Sequence, residues 1–313
     1  MKKFFRVALI VLVILPALFV FSSYGAQRYP NRAARIVAEI HNPNSRYVLV
    51  IAHRGDWRNW PENSLPGFES AIKMGVDIVE LDVHMTRDSV LVICHDGTLD
   101  RTTDGKGKIE DHTLSEIKTL HLRKGHGVID DVNTVPTLEE ALSLCKDRIV
   151  VNVDKGWEYY DQVLKVAEKV GSVDQILIKG NAPLGRVEQK MSEHKHNMMY
   201  MPVTNFDSKG GPELFKEYQS KNVSPLAFEI CWKKMNPEVE QACRTVASGH
   251  RSKLWVNSLW PSLNGGLDDD TAFYHPEEVY GTLLDMGVTM IQTDRPEYLI
   301  AYLHKHHRHF LND

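Results

Sequence analysis

Eight short apolar, β-rich runs recur along the chain at 47–52, 77–83, 148–153, 175–179, 199–203, 226–231, 253–256 and 289–292. Helix-like patterns at 66–74, 137–144, 160–170, 186–194, 212–221, 237–247, 276–286 and 296–304 alternate with them. A strand that returns to the same sheet edge after each helix must run parallel to its neighbour, because such a return needs a crossover. Eight units of this kind in about 260 residues predict an α/β chain folded as a closed (β/α)8 TIM barrel. An open doubly wound sheet is the other arrangement this pattern allows, and the Gly-rich fingerprint that often marks one is missing.

One interval breaks the rhythm. Between the second run and its helix lie residues 84–136, with a further strand-like run at 90–94. The remainder, 97–135, is polar, rich in Gly, Asp and Thr, and carries one short helical pattern at 114–122. Long segments without regular structure are uncommon unless they form lids or binding elements. An insertion after strand two, over one mouth of the barrel, is therefore expected.

The N-terminus stands apart from the barrel. Lys2, Lys3 and Arg6 precede an apolar run, 7–21, and small residues through Ala26 follow it. This pattern marks residues 1–26 as a secretory signal peptide, or as a retained N-terminal membrane anchor. The run is short for a membrane span of about 20 residues, and Pro16 interrupts it. In either case residues 27–313 form a single domain working outside the cytoplasm, in the periplasm, secreted or membrane-anchored. Removing 1–26 leaves 34 of the 37 basic residues against 41 acidic ones, a net charge of −7. A negative chain lacks the basic footprint of a nucleic-acid binder, so no nucleic-acid partner is expected. Cys94 and Cys231 sit inside apolar strand-like runs, and with Cys145 and Cys243 they show no metal-type spacing. Buried free thiols are the simplest reading of all four.

In a parallel barrel the reactive groups gather where strands end. Strand one ends in His53-Arg54-Gly55, strand two carries Glu80 and Asp82, and its hairpin extension ends in His95-Asp96. Strand three ends in Asp154-Lys155 and strand four in Lys179, while strand six carries Glu229 and strand eight ends in Thr293-Asp294-Arg295. Residues two apart on a strand project from one face, about 6.6 Å apart along it. Two such carboxylates repel unless a proton or cation neutralises them. With Asp154 arriving from the next strand, the set points to one hard divalent ion, Ca²⁺ or Mg²⁺. An imidazole side chain ordinarily titrates near neutrality, so a pair such as His53 and His95 suits a reaction in which one group takes a proton while the other gives one. Arg54 offers a planar fork suited to phosphate. Each proton transfer contributes about 10²–10⁴ in rate, less than a stable phosphodiester requires, and a cation with a guanidinium would add the remainder. No Gly-x-Ser-x-Gly elbow supports a serine hydrolase.

These residues also fall into a known order. His53-Arg54-Gly55, Pro61-Glu62-Asn63-Ser64, Glu80-Leu81-Asp82-Val83, Thr86-Arg87-Asp88, His95-Asp96 and Leu99-Asp100-Arg101-Thr102-Thr103 resemble the signature of the glycerophosphodiester phosphodiesterase family. Val135-Pro136-Thr137-Leu138-Glu139-Glu140 and Thr293-Asp294-Arg295-Pro296 continue the likeness, which spans 48–300. The resemblance implies a barrel that hydrolyses small glycerophosphodiesters to glycerol 3-phosphate and an alcohol. It implies His53 as general base, His95 as general acid, Arg54 on the phosphate, and Glu80 and Asp82 on the ion. A family mechanism in which the glycerol hydroxyl attacks first, through a cyclic phosphate, fits the same roles. Two departures stand out. Where the family has Glu, one residue, then Lys on strand three, this chain has Asn152-Val153-Asp154-Lys155, so Asp154 is the third ligand and Lys155 or Lys179 meets the phosphate. Where a Gly follows Asp88 in the family, this chain has Ser89.

Six tryptophans, at 57, 60, 157, 232, 255 and 260, lie at or just beyond strand ends. Two readings stay open: Trp57, Trp157 and Trp255, with Glu229, line a substrate mouth that stacks on a cationic headgroup such as choline, or the rings plug loops against helices. The histidines at 304, 306, 307 and 309 read as a solvated, frayed helix end rather than a metal tract. Two other functions also stay open, a phospholipase C- or D-like activity on intact phospholipid and an inactive barrel serving as a binding or surface protein.

Overall fold

The computed structural model describes residues 29–310 apart from 126 and 221–223, so the expected signal or anchor at 1–26 lies outside the described residues. The strands are β1 (Leu49–Ala52), β2 (Ile78–Met85), β3 (Leu91–Ile93), β4 (His121–Lys124), β5 (Val128–Thr134) and β6 (Val150–Asp154). They continue as β7 (Ile176–Gly180), β8 (Met199–Asn205), β9 (Ala227–Cys231), β10 (Lys253–Asn257) and β11 (Met290–Thr293). Eight of them pair in parallel in the order β1-β11-β10-β9-β8-β7-β6-β2, and β1 pairs with β2 to close the ring. The expected (β/α)8 barrel is the fold, with all eight predicted runs in place.

The helices begin with α1 (Arg32–Ile40), α2 (Leu65–Met74), α3 (Leu114–Ile117), α4 (Leu138–Cys145), α5 (Tyr160–Val170) and α6 (Leu184–Ser192). The rest are α7 (Gly211–Ser220), α8 (Pro237–Gly249), α9 (Asp269–Tyr274), α10 (Thr282–Asp285) and α11 (Pro296–Lys305). Local chemistry sets their ends. Ser64 caps α2 by accepting from Gly67 N, Gly75 closes it at φ +92°, and Thr137 and Glu140 form a reciprocal capping box on α4. The helix expected at 276–286 is a wide π turn, Glu277–Gly281, running into α10.

Side-chain alternation divides the barrel interior into layers. Toward the strand starts lie Leu49, Ile51, Ile78, Val150, Leu177, Met201, Ala227, Trp255 and Met290. Two residues further along, the inward positions become Glu80, Asn152, Lys179, Glu229, Asn257 and Gln292, all buried. Apolar burial holds the lower layer, at about 1.5–3 kcal/mol per large side chain, and that rigid floor carries the polar layer. The floor is sealed by α1, whose Ile36 and Ile40 join the same cluster, an element absent from the sequence reading. Arg32 ties it down by donating to the carbonyls of Arg148 and Gly75.

The insertion has more order than its composition suggests. β3 folds back antiparallel on β2, and β4 and β5 form a hairpin. Val92, Cys94, Leu99, Ile109, Ile117, Leu122 and Val135 make a separate core. The helix expected over 114–122 stops at Ile117, because Leu122 is buried in that core as part of β4. Ser89, in place of the family's Gly, sits in the left-handed region at φ +63°.

All four cysteines are free and buried. Of the C-terminal histidines, His304 and His307 are exposed as expected, and His309 departs from expectation. His309 is buried, stacks on Tyr47, and bonds Asp77 through Nε2 at 3.1 Å, while its Nδ1 meets His304 at 3.2 Å. The tail closes against the strand-start end instead of fraying, because Val48 N donates to Arg308 O. Among the described residues no helix is long and apolar enough to cross a membrane.

Candidate active site

Glu80 and Asp82 on β2 and Asp154 at the end of β6 bring one carboxylate oxygen each within 4.8 Å of one another. The register pairs Asp82 with Asp154 across the two strands. Burial, then the charges of Asp82 and Asp154, push Glu80 well above the usual carboxylate range against the pull of Lys179. Asp154 is held below that range: burial opposes its charge, but Lys179 and the Lys155 backbone N–H outweigh it. Asp82 accepts from Asn63 Nδ2 at 3.0 Å, while its buried Oδ1 has no hydrogen-bond partner and faces Lys155 Nζ at 3.4 Å. Three crowded carboxylates need cationic compensation, of which Lys155, Arg54 and Lys179 supply part, and the spare lone pair on Asp82 leaves a place for a further cation. Their all-oxygen chemistry fits a hard divalent ion.

The rim around this trio is formed by strand ends. Arg54 takes a left-handed backbone, φ +54°, so that its N–H donates to Glu80 Oε2 at 2.9 Å while its side chain reaches Glu62 at 3.1 Å. Gly55 completes the turn at φ +74°, and a Cβ there would meet Phe68 at 2.9 Å. Arg54 Nε is buried without a hydrogen-bond partner, 3.6 Å from Asp82. His53 bonds Asp294 through Nδ1 at 2.8 Å, and Trp57 Nε1 donates to the same oxygen at 2.7 Å. Asp294 is in turn fixed by its backbone N–H donating to Asp269 at 2.6 Å. Asp269 also accepts from Ser258, Thr293 and Tyr280.

His95 bonds Asp96 through Nδ1 at 2.7 Å. Lys155, left-handed at φ +60°, donates through Nζ to the His95 carbonyl and lies 3.5 Å from His84 Nε2. That one ammonium therefore joins the ends of β2, β3 and β6, so both candidate imidazoles stand on the rim that holds the carboxylate trio. In each, a carboxylate occupies Nδ1 and leaves Nε2 for chemistry.

The remaining predicted residues sit elsewhere. Lys179 shares the buried inward layer of Glu80, with its Nζ 3.3 Å from Glu229 and 3.4 Å from Gln292. Burial opposes its charge, yet Glu229, Asp154 and Glu80 keep it protonated above its ordinary range. Glu229 accepts from Asn257 Nδ2 at 2.8 Å and is buried. Trp255 is fully buried in the barrel floor, donating to Asn257. Trp255 lies in the floor and lines no mouth, whereas Glu229 stands one layer higher, in the buried layer of Glu80 and against Lys179. Trp157, just beyond the end of β6, is half-buried and packs edge-on against Tyr160 and Tyr200, while Trp232 is buried and plugs a loop. Trp57 and Trp260 do border the site, the latter 6.0 Å from His53. Glu62, Asp96, Arg101, Asp269 and Asp294 were not read as site residues. All but Asp269 lie in the motif strings that carry the resemblance, which was the available signal.

Together the fold and rim define a (β/α)8 barrel hydrolase with two imidazole–carboxylate pairs beside an acidic trio. The family model described as the glycerophosphoryl diester phosphodiesterase family matches residues 53–200, and one described as a domain of unknown function matches 200–303. A glycerophosphodiester phosphodiesterase from Caldanaerobacter subterraneus is 37% identical over 162 residues, covering 49% of this chain and 67% of that one. The crystal structure of a glycerophosphoryl diester phosphodiesterase from Parabacteroides distasonis superposes with a TM-score of 0.72 at 23% identity, covering 87% of this chain and 92% of that one. An Oleispira antarctica phosphodiesterase, solved with its product sn-glycerol-3-phosphate, gives 0.61 at 20% identity over 84% of this chain and 99% of that one. The chain belongs to the glycerophosphodiester phosphodiesterase family and is an enzyme of the phosphoric diester hydrolase class.

Proposed function

We propose that this enzyme hydrolyses small glycerophosphodiesters to glycerol 3-phosphate and an alcohol, using His53 and His95 as the proton-transfer pair and one divalent cation held by Glu80, Asp82 and Asp154. The observation that carries this reading is the meeting of the three carboxylates within 4.8 Å on the rim shared by both imidazoles. The product bound to the Oleispira phosphodiesterase supports the choice of products.

When bound, the cation would neutralise charge on the nonbridging phosphoryl oxygens. The chain's own residues do the rest. Arg54, with its unpaired Nε, orients the phosphate. His53, with Nδ1 held by Asp294, takes the proton of the attacking hydroxyl or water at Nε2 as the new P–O bond forms. His95, with Nδ1 held by Asp96, gives a proton to the alcohol oxygen as the old P–O bond breaks. Lys155 is placed to share the phosphate charge, while the buried Lys179 ammonium balances Glu80 and Asp154.

Placement outside the cytoplasm belongs to the same proposal, supported by the basic, apolar and small-residue pattern of residues 1–26. Cell fractionation checks it, and activity confined to the cytosol would oppose it. For the chemistry, purified protein is assayed against a panel of glycerophosphodiesters before and after chelation. Activity should vanish with chelator and return with Ca²⁺ or Mg²⁺, and the cation should raise the melting temperature in wild type but not in Glu80→Gln. Full turnover in the chelated enzyme would reject the cation, and turnover of acylated phospholipid alone would reject the substrate class.

A further inference from the structure

Glu62 lies between two guanidiniums. One oxygen accepts from Arg54 at 3.1 Å and from Arg101 at 2.9 Å, and the other accepts from Arg101 at 2.6 Å. The same Arg101 grips Asp96 from its other edge, through Nε at 2.8 Å and a terminal nitrogen at 3.0 Å. Asp96 is the carboxylate on His95 Nδ1. A single planar fork thus makes four hydrogen bonds to the two carboxylates that aim His95 and Arg54. Arg101 belongs to neither the barrel nor the strand-two hairpin. It stands in the insertion, where Thr103 Oγ1 donates to Leu99 O, Arg123 N donates to Thr102 O, and Leu99 is buried in the insertion's own core.

Resting on the assignment of His95 and Arg54 made above, we infer that Arg101 is a positioning residue: by clasping Asp96 and Glu62 together it makes proton delivery and phosphate orientation depend on the insertion being seated. Asp96 and Arg101 are partly open to solvent, so water competes for the His95–Asp96 contact. Four bonds in a fixed plane restrict Asp96 to one orientation, and the paired charges hold the clasp ionised. The Arg101 fork holds Asp96 well below the usual carboxylate range. Burial opposes the charge on Glu62, but the two guanidiniums keep it below that range as well. A lysine has one point charge and no fork, so it cannot make both bidentate contacts at once.

The test compares wild type, Arg101→Ala and Arg101→Lys in kcat, KM and melting temperature, with guanidinium ion added at concentrations far below the denaturing range. The expected result is a fall in kcat of about tenfold or more in Arg101→Ala, since small misplacements of reacting groups are costly. KM should rise as Arg54 loosens, guanidinium should partly restore kcat, and Arg101→Lys should not. An active wild type with unchanged kcat in Arg101→Ala overturns the inference while leaving the proposed function intact. A wild type without diesterase activity overturns the proposed function and this inference with it. A purely structural role would lower the melting temperature and the active fraction without rescue by guanidinium, which also overturns it. Should Arg101→Ala fail to fold, Asp96→Asn and Glu62→Gln keep it testable: their effects on kcat should overlap in the double variant, and full additivity would contradict the clasp.

Discussion

The two imidazole–carboxylate pairs are the same device built from opposite materials. His53 and Asp294 belong to the barrel itself; both are buried, and Asp294 is held by Asp269, a carboxylate sunk among Ser258, Thr293 and Tyr280. His95 and Asp96 belong to the strand-two extension, are part-exposed, and are held by Arg101 from the insertion. The first is preorganised by packing and carries a desolvation cost. The second avoids that cost and depends on an ion-pair clasp open to solvent. The difference teaches that a barrel fixes one imidazole–carboxylate pair by packing, while the second pair, carried on an added element, is fixed by ion pairs.

The largest expected effects are shared by both sides. His53→Ala and His95→Ala should each lower kcat by between about 10² and 10⁴-fold. Only His53→Ala should also lower the melting temperature, because it leaves a buried Asp294 without its imidazole. Steady-state assays with thermal unfolding of both variants check this, and equal destabilisation would blur the distinction between the sites.

Stability against pH sharpens the comparison next. Burial, opposed by its hydrogen bonds, pushes Asp269 up to about 6 from the ordinary 3.8. The fold therefore favours the neutral carboxyl. Its contribution is fully present below about 3.8, declines as pH rises through about 6, and amounts to roughly 3 kcal/mol when wholly lost. Urea unfolding of wild type and Asp269→Asn at pH 5 and pH 7.5 should show wild type losing more stability on alkalinisation. A pH-independent difference between the two would contradict the burial argument. No comparable effect is expected from Asp96, which titrates far below this window.

The carboxylates themselves should rank in the same order. Asp294→Asn removes a buried, charge-assisted bond and should lower kcat by about a hundredfold. Asp96→Asn, more exposed and backed by Arg101, should cost about tenfold. A reversed ranking in kcat at constant protein folding would break the comparison.

Much of the barrel-built half was legible in the sequence. Eight short apolar runs alternating with helical patterns gave the strands, and the two-residue spacing along a strand placed Glu80 with Asp82 on one face. What escaped has a physical reason in each case. The segment that forms α1 buries only Ala33, Ile36 and Ile40 and lies between a longer apolar run and β1, so its sealing role appears only once the barrel floor exists. The β4–β5 hairpin exposes Val128 and Val132 and pairs with no barrel strand, leaving composition to suggest a loop. Trp255 and Glu229 are equally near strand ends in the sequence, yet inward positions two residues apart belong to different layers, which puts Trp255 in the floor and Glu229 beside Lys179 in the layer of Glu80. Asp269 and Arg101 act on His53 and His95 through other residues, and no spacing in the chain encodes such a contact. His309 was misread because its partner, Asp77, lies 232 positions away.

Both imidazoles must work together for this account to hold, and the dependence of kcat/KM on pH tests that most directly. A bell is predicted, with one limb from an imidazole that must be free to accept a proton and one from an imidazole that must still carry one. A profile with a single limb, or none between pH 5 and 9, would contradict the pairing of His53 and His95 at one rim.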